Sequence, residues 1–227
     1  MRKKEFYKTT YSSPNGLLDI DRHRIEPVVS FAGANKKVLD VGCYNGTIGA
    51  LLKEKNNNVF GVDLSKNALK FAKDRGLITV VADTERGLPF KNERFDTAIA
   101  TEVIEHIFDV THFLEEIRRV LKQNGQLVVT TPNISSLSNR IRMVLGMDIP
   151  ALEVDLASGR SGHIRYFTKS SLRRLLEMNG FKIEAMKTDL VVIPLIGKIF
   201  NKTIFSVKLA TIFPNIGRTL IFSCKRI

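Results

Sequence analysis

The sequence predicts an α/β domain with a mostly parallel, seven-stranded sheet and helices on both faces, and three observations carry that expectation. Short apolar runs alternate with helical patterns through the middle of the chain. The runs are apolar throughout, as in strands buried on both faces. The first run leads directly into a glycine-rich turn, Gly42-Cys43-Tyr44-Asn45-Gly46, of the kind found where sheet ends receive ligands.

Each element follows from local pattern. Lys37 to Val41 reads as a first strand and Thr47 to Lys55 as a helix. Asn58 to Asp63 is a second strand, Lys66 to Asp74 a helix, Leu77 to Ala82 a third strand and Phe95 to Thr101 a fourth. Thr111 to Lys122 places Phe113, Leu114, Ile117, Val120 and Leu121 at helical spacing. Gln126 to Thr131 is a fifth strand. Beyond it, Ile134 to Leu145 reads as a helix and Pro150 to Gly162 as a loop. Thr168 can cap a helix that runs to Asn179, with Gly180 ending it. Phe181 to Lys187 and Thr219 to Lys225 complete the sheet, and Leu17 to Ala32 forms a covering helix.

One domain fits the 227 residues. We divide it into a covering segment (1–35), a ligand-binding core (36–133), a substrate-side segment (134–180) and a final strand pair (181–227). The last part carries an apolar, basic insertion over 190–217. Two cysteines, Cys43 and Cys224, argue against a disulfide scaffold and fit a reducing cytoplasm. The basic N-terminus lacks the apolar run of a signal peptide, and no run is long enough to span a bilayer. The expected location is cytoplasmic.

Three acids stand at strand ends. Asp63 follows the glycine-rich turn by about 20 residues, the spacing at which a carboxylate accepts ribose hydroxyls. Asp40 precedes the turn, and Asp83 ends the third strand, where an adenine amino group could find an acceptor. A nicotinamide enzyme competes for this pattern. Its G-x-G-x-x-G fingerprint needs a glycine where Tyr44 stands, so that backbone can approach a pyrophosphate. A ligand without phosphates tolerates the tyrosine better.

In combination these segments resemble class I S-adenosylmethionine-dependent methyltransferases, which have a Rossmann-like fold. Val38-Leu39-Asp40-Val41-Gly42-Cys43 looks like their first motif and Gly61-Val62-Asp63-Leu64-Ser65 like their second. Leu88-Pro89-Phe90, Phe95-Asp96 and Glu102-Val103-Ile104-Glu105-His106 resemble their fourth-strand region. Val120 to Leu127 resembles the turn before their fifth strand. The resemblance implies that Asp40 and Gly42 shape the methionine end of a cofactor pocket, and that Cys43 and Gly46 also belong to that pocket. It implies that Asp63 holds the ribose, that Asp83 with Thr84 flanks the adenine, that Glu102 and its neighbours after the fourth strand line the methyl-donor side, and that Leu64 and Thr101 also bind the cofactor. Tyr44 departs from the family's usual glycine.

Methyl transfer is a displacement at a carbon already activated by a sulfonium, so the protein must position the nucleophile, exclude water and remove a proton where the nucleophile is a hydroxyl. Glu105, His106 and the distant His163 are the candidate catalytic groups. On a helix, Glu102 would share a face with Glu105 and His106. The set Glu102, Glu105, His106 and His163 is also a candidate metal shell for Mg²⁺ or Mn²⁺. The arrangement is similar to ubiquinone-pathway O-methyltransferases and to metal-dependent RNA 2′-O-methyltransferases. That similarity implies a cation lowering the pKa of an attacking hydroxyl. Relatives with the same segment and no metal leave two other roles open: a metal-free histidine base, or a packing role.

The net charge of +12 favours an anionic partner or a merely solvated basic surface. From Leu190 onward there is no acid, while Lys198, Lys202, Lys208, Arg218, Lys225 and Arg226 are basic. A basic helix with an apolar face would suit an anionic membrane surface and a lipid-linked acceptor. The protein would then sit peripherally at the inner membrane face. The alternative is a helical lid on the sheet. Arg140, Arg142, Arg160, Arg165, Lys169, Arg173 and Arg174 would suit RNA, yet no RNA-binding module accompanies them. The leading expectation is O-methylation of a small-molecule or lipid-linked acceptor. The alternatives are RNA methylation or a cofactor-binding scaffold without catalysis. Oligomeric state is not legible.

Overall fold

The computed structural model describes residues 19–150, 152, 162–194 and 203–227. The expected loop over 150–162, with Arg160, and the centre of the 190–217 insertion, with Lys198 and Lys202, lie largely outside them. So does the N-terminal part of the covering segment.

The chain begins its described course with helix α1 (Asp19–Ala32) and enters the sheet through β1 (Lys37–Val41). There follow α2 (Thr47–Lys53), β2 (Asn58–Asp63), α3 (Lys66–Asp74), β3 (Ile78–Val81) and β4 (Phe95–Thr101). A single 3₁₀ turn, Ile104–His106, leads to α4 (Val110–Val120) and β5 (Leu121–Pro132). Then come α5 (Leu137–Val144), α6 (Lys169–Met178), β6 (Phe181–Thr188), β7 (Val191–Pro194), β8 (Thr203–Ser206), α7 (Val207–Ile212) and β9 (Thr219–Arg226).

Seven strands form one sheet in the order β3-β2-β1-β4-β5-β9-β6. All pairings from β3 to β5 are parallel, and β9 runs antiparallel between β5 and β6. Strand order reverses at β1 and β4, and ligands of open α/β sheets bind at the carboxyl ends beside such a reversal.

Because side chains alternate across a strand, β1 feeds two cores at once. Val38 joins Ile25, Val28 and Ala32 of α1, Leu52 of α2 and Leu69 and Ala72 of α3. Leu39 and Val41 join Phe113, Leu114 and Ile117 of α4 and Leu172 and Leu176 of α6. Five residues of α4 are buried. A fully buried side chain such as Phe113 contributes about 2–3 kcal/mol of apolar burial.

Local chemistry fixes the helix starts. Ser65 Oγ accepts the Ala68 amide in front of α3, and Asp109 accepts that of His112 in front of α4. Thr168 and Ser171 form a reciprocal capping box on α6, and Gly180 leaves that helix at φ 80°. Both assignments match the sequence reading.

Boundaries shift where α2 ends at Lys53 instead of Lys55 and where Leu121, expected in a helix, opens β5. Two larger expectations change. The helix expected from Ile134 starts at Leu137, because Ser136 takes the capping position and accepts the Asn139 amide. The insertion is not a helix throughout: among the described residues it forms an antiparallel hairpin, Val191–Pro194 with Thr203–Ser206, and then a six-residue helix. Its β-branched and aromatic composition, Val191-Val192-Ile193 and Thr203-Ile204-Phe205, favours strand, a preference that apolarity alone conceals.

Candidate active site

The turn after β1 is built from left-handed backbone. Gly42, Tyr44 and Gly46 have φ of 70°, 47° and 78°. Gly42 and Cys43 both donate to the Val62 carbonyl, at 2.8 and 3.1 Å, which ties the turn to β2. At Gly46 an added Cβ would lie 2.7 Å from Ala72 Cα, so only glycine permits α3 to pack this close. At Gly42 a Cβ would stand 2.5 Å from Val103 Cγ2. The turn after β4 therefore rests directly on the turn after β1. Tyr44 is strained for a bulky residue, and its amide is held by Asp63.

Asp63 organises the cofactor side. One carboxylate oxygen accepts the Tyr44 amide at 2.9 Å and the other the Ser65 amide at 2.7 Å, so the acid joins the two loops it stands between. Burial raises its pKa, and those amides pull it partly back. Asp40 is 1% exposed, and its Oδ1 is buried with no hydrogen-bond partner. Burial first, and the Asp63 charge second, push its carboxyl up to about 7. Such a group is poised for a positively charged partner. Leu64 lies between Asp63 and the capping Ser65. Asp83 accepts the Glu85 amide at 3.2 Å and meets Arg86 at 3.6 Å, with Thr84 beside it. Cys43 is buried against Gly61, and burial keeps its thiol protonated.

Glu102 does not begin a helix, as the spacing suggested. It adopts φ 55°, and its amide donates to the Thr130 carbonyl at 3.1 Å. Its carboxylate accepts the Thr130 hydroxyl at 2.8 Å and faces Arg24 of α1 at 3.2 Å. Thr101, the last residue of β4, pairs in register with Thr130. Thus Glu102 leaves the expected metal set, and among the described residues the potential ligand atoms of Glu105, His106 and His163 alone gather, within 4.8 Å of one another.

Glu105 is 1% exposed. Its Oε2 accepts the Thr131 hydroxyl at 3.1 Å; its Oε1 has no hydrogen-bond partner and lies 3.9 Å from His163 Nε2. Burial chiefly, and the Glu102 charge next, raise its pKa well above the ordinary carboxyl value, against the opposing effects of Thr131 and Arg24. His106 Nδ1 lies 3.1 Å from the Gly162 carbonyl. A carbonyl can only accept, so Nδ1 carries a proton, and in the neutral imidazole Nε2 then keeps its lone pair. The two imidazoles tilt at 57° with centroids 4.9 Å apart.

Residues 162–167 close the cluster. The amides of Ile164 and Arg165 donate to the Glu105 carbonyl at 3.0 and 3.1 Å. Arg165 then clamps the carbonyls of Ile107 and Phe108. Sequence reasoning proposed Arg165 only as an RNA contact and passed over Arg24, whose ion pair spans 78 positions with no local signal to betray it.

Comparison with known proteins agrees with this architecture. A family profile described as a methyltransferase domain matches residues 19–186. The chain belongs to that methyltransferase family. It is 28% identical over 159 residues to the human mitochondrial ubiquinone biosynthesis O-methyltransferase, covering 66% of this chain and 42% of the relative. The ubiquinone biosynthesis O-methyltransferase of Bartonella bacilliformis is 29% identical over 161 residues, covering 67% and 62%. The chain thus spans less than two thirds of the length of these curated relatives. Among solved structures, an S-adenosylmethionine-dependent methyltransferase from Thermotoga maritima superposes with TM-score 0.63 over 92% of this chain and 91% of its own, at 19% identity. That likeness shows the fold. The class I methyltransferase takes S-adenosylmethionine as its family cofactor.

Proposed function

We propose that this chain transfers the methyl group of S-adenosylmethionine to an oxygen of a small-molecule or lipid-linked acceptor. One observation carries the reading: the Glu105–His106–His163 cluster beyond the carboxyl ends of β4 and β5, with Glu105 buried, on a turn whose Val103 rests against Gly42 of the glycine-rich turn. The names of the two O-methyltransferase relatives favour oxygen as the nucleophile.

The pocket residues fit the cofactor. Asp40, with an unpartnered buried oxygen, suits the cationic methionine end. Asp63 retains lone pairs for ribose hydroxyls, and Asp83 with Thr84 would offer acceptors to the adenine. Bound S-adenosylmethionine supplies a methyl already activated by positive sulfur. Glu102, held by Arg24 and Thr130, fixes the turn that carries the cluster.

An attacking hydroxyl must lose its proton, and His106 Nε2 is the base, oriented through Nδ1 by Gly162. His163 and Glu105 stand beside it to hold or pass that proton. The same three residues support a second reading, because an unpartnered carboxylate oxygen and two imidazoles are a fitting donor set for Mg²⁺ or Mn²⁺. A cation there would lower the pKa of an acceptor hydroxyl.

The test is an acceptor panel of catechols, polyprenyl phenols and short RNAs, assayed with chelator and with added Mn²⁺. Wild-type protein is expected to methylate a phenolic oxygen, with His106→Ala and His163→Ala each slower by about 100-fold or more. Turnover undiminished in both variants would remove the cluster from the reaction. Bound ion and chelator-sensitive activity select the cation reading; full activity in chelator selects the base. Cofactor binding without turnover of any acceptor would leave a scaffold.

A further inference from the structure

Helix α5 carries Leu137, Ile141, Met143 and Val144, yet buries none of its residues. Its start is fixed by the Ser136 cap and by a hydrogen bond from the Leu137 amide to the Ile216 carbonyl. Its other end exposes Met143, Val144 and Leu145, Val144 at 86%. Helix α7 buries Ala210 but exposes Val207 and Ile212, Ile212 at 66%, with Phe213 exposed just beyond its end. Both helices contact β7, so the elements that carry the two exposed sets share one strand of the hairpin. Single exposed apolar side chains are ordinary on protein surfaces, but a grouped set marks an interaction face.

Charge says what the face meets. Arg140 and Arg142 lie on α5 and Lys208 on α7. Asp148 is the one acid between Leu137 and Pro150, and no acid occurs from Leu190 to Ile227. A second copy of the same basic chain would be repelled, whereas a surface of lipid phosphates would attract it. Phe108, Ile164 and Tyr166 are exposed on the segments that hold the Glu105 cluster. Phe167 then joins that rim to the approach of α5 through its carbonyl, which accepts the Ile134 amide at 3.0 Å.

We propose that α5 and α7 form a docking face for an anionic lipid surface. The apolar side chains enter the boundary between headgroups and acyl chains, while Arg140, Arg142 and Lys208 meet the headgroup phosphates. The face provides a route for a lipid-linked acceptor to the cluster; that role rests on the O-methyl reading above, whereas the docking itself does not. No helix among the described residues is long and apolar enough to cross a membrane.

The experiment is vesicle flotation of the full chain with phosphatidylcholine alone and with phosphatidylglycerol added, at low and high salt. Wild-type protein is expected to float with the anionic vesicles, poorly with neutral ones, and less at high salt. The double variant Val144→Asp, Ile212→Asp should bind at least about tenfold more weakly, since each aspartate replaces an inserted apolar group. Met178→Asp, at an exposed apolar position on α6, should float like wild type. Calorimetry with S-adenosylhomocysteine on both variants shows that their folds are intact. Absence of flotation, flotation equal on neutral vesicles, or flotation unchanged in the double variant would overturn the proposal. Binding of a short RNA without binding of vesicles would also overturn it and assign the basic groups to nucleic acid. Flotation needs no methyl transfer, so an inactive protein that floats separates the two readings.

Discussion

Replacing Asp40 with asparagine should make the ligand-free protein more stable at neutral pH while weakening its cofactor site. In the folded chain the Asp40 carboxyl keeps its proton up to about pH 7, against 3.8 for an ordinary aspartate. Between those values the native state binds one proton more than the unfolded state. Stability therefore falls as pH rises from about 4 to 7, and levels off above. The shift of roughly three pH units, at 1.36 kcal/mol each, amounts to about 4 kcal/mol. The asparagine side chain carries no such charge and keeps nearly the same shape. Urea unfolding of both proteins across about pH 5 to 8 should show the variant gaining on wild type by up to about 1.4 kcal/mol per pH unit, with the gap constant above pH 7. Cofactor binding near pH 6 should expel the Asp40 proton in the wild type, because a cationic ligand restores the carboxylate. Calorimetry in two buffers of different ionisation heat would detect that proton, and the asparagine variant should release none. A stability gap that stays flat across this pH range, or equal proton release by both proteins, would refute the reasoning.

Asp63→Ala should weaken binding of S-adenosylhomocysteine by about 100-fold, since it removes two charge-assisted contacts and unties Tyr44 from Ser65; titration calorimetry reads this. Gly46→Ala should cost about 2–4 kcal/mol in urea unfolding, combining a left-handed backbone with a Cβ pressed against Ala72. Hydrogen bonding to Arg119 and the Leu88 amide holds Glu116 down to about 2. Its stabilisation is present above pH 4.5 and is lost as pH falls toward 2, so Glu116→Gln should flatten the acid limb of a thermal-denaturation profile.

How much of this was legible in the sequence depended on whether the cause was local. Strands 58–63 and 95–101 and helix 66–74 follow the sequence reading to the residue, because the turns, a Ser65 cap and a Gly76 exit bound them on the spot. The positions of Asp40, Asp63 and Asp83 in the fold were legible for the same reason: Asp40 and Asp63 lie in the last two residues of readable strands and Asp83 two residues past β3. Glu102 was misplaced because helical spacing cannot reveal a left-handed residue, which here is fixed by Thr130 on the neighbouring strand. Arg24 and the clamp of Arg165 are tertiary, and their partners lie 78 and 57–58 positions away. His163 could be assigned to Glu105 through family resemblance alone, since nothing near it in the chain predicts where residues 162–167 fold back. The hairpin in the insertion was missed because a short apolar run supports strand and helix equally until its β-branched content is weighed.

Strand β9 lies between β5 and β6, although both precede it in the chain. Its antiparallel ladders to those two neighbours span Gln126 to Pro132 on one side and Phe181 to Thr188 on the other. While the chain is emerging from a ribosome, the sheet therefore has a gap of one strand's width between β5 and β6. The amides and carbonyls facing that gap stay unpaired until Thr219–Arg226 is made. Translation can pre-assemble the first half of the molecule, from β1 to β5, but cannot close the second. For that interval the nascent chain presents two raw sheet edges, the kind of surface most open to wrong pairing.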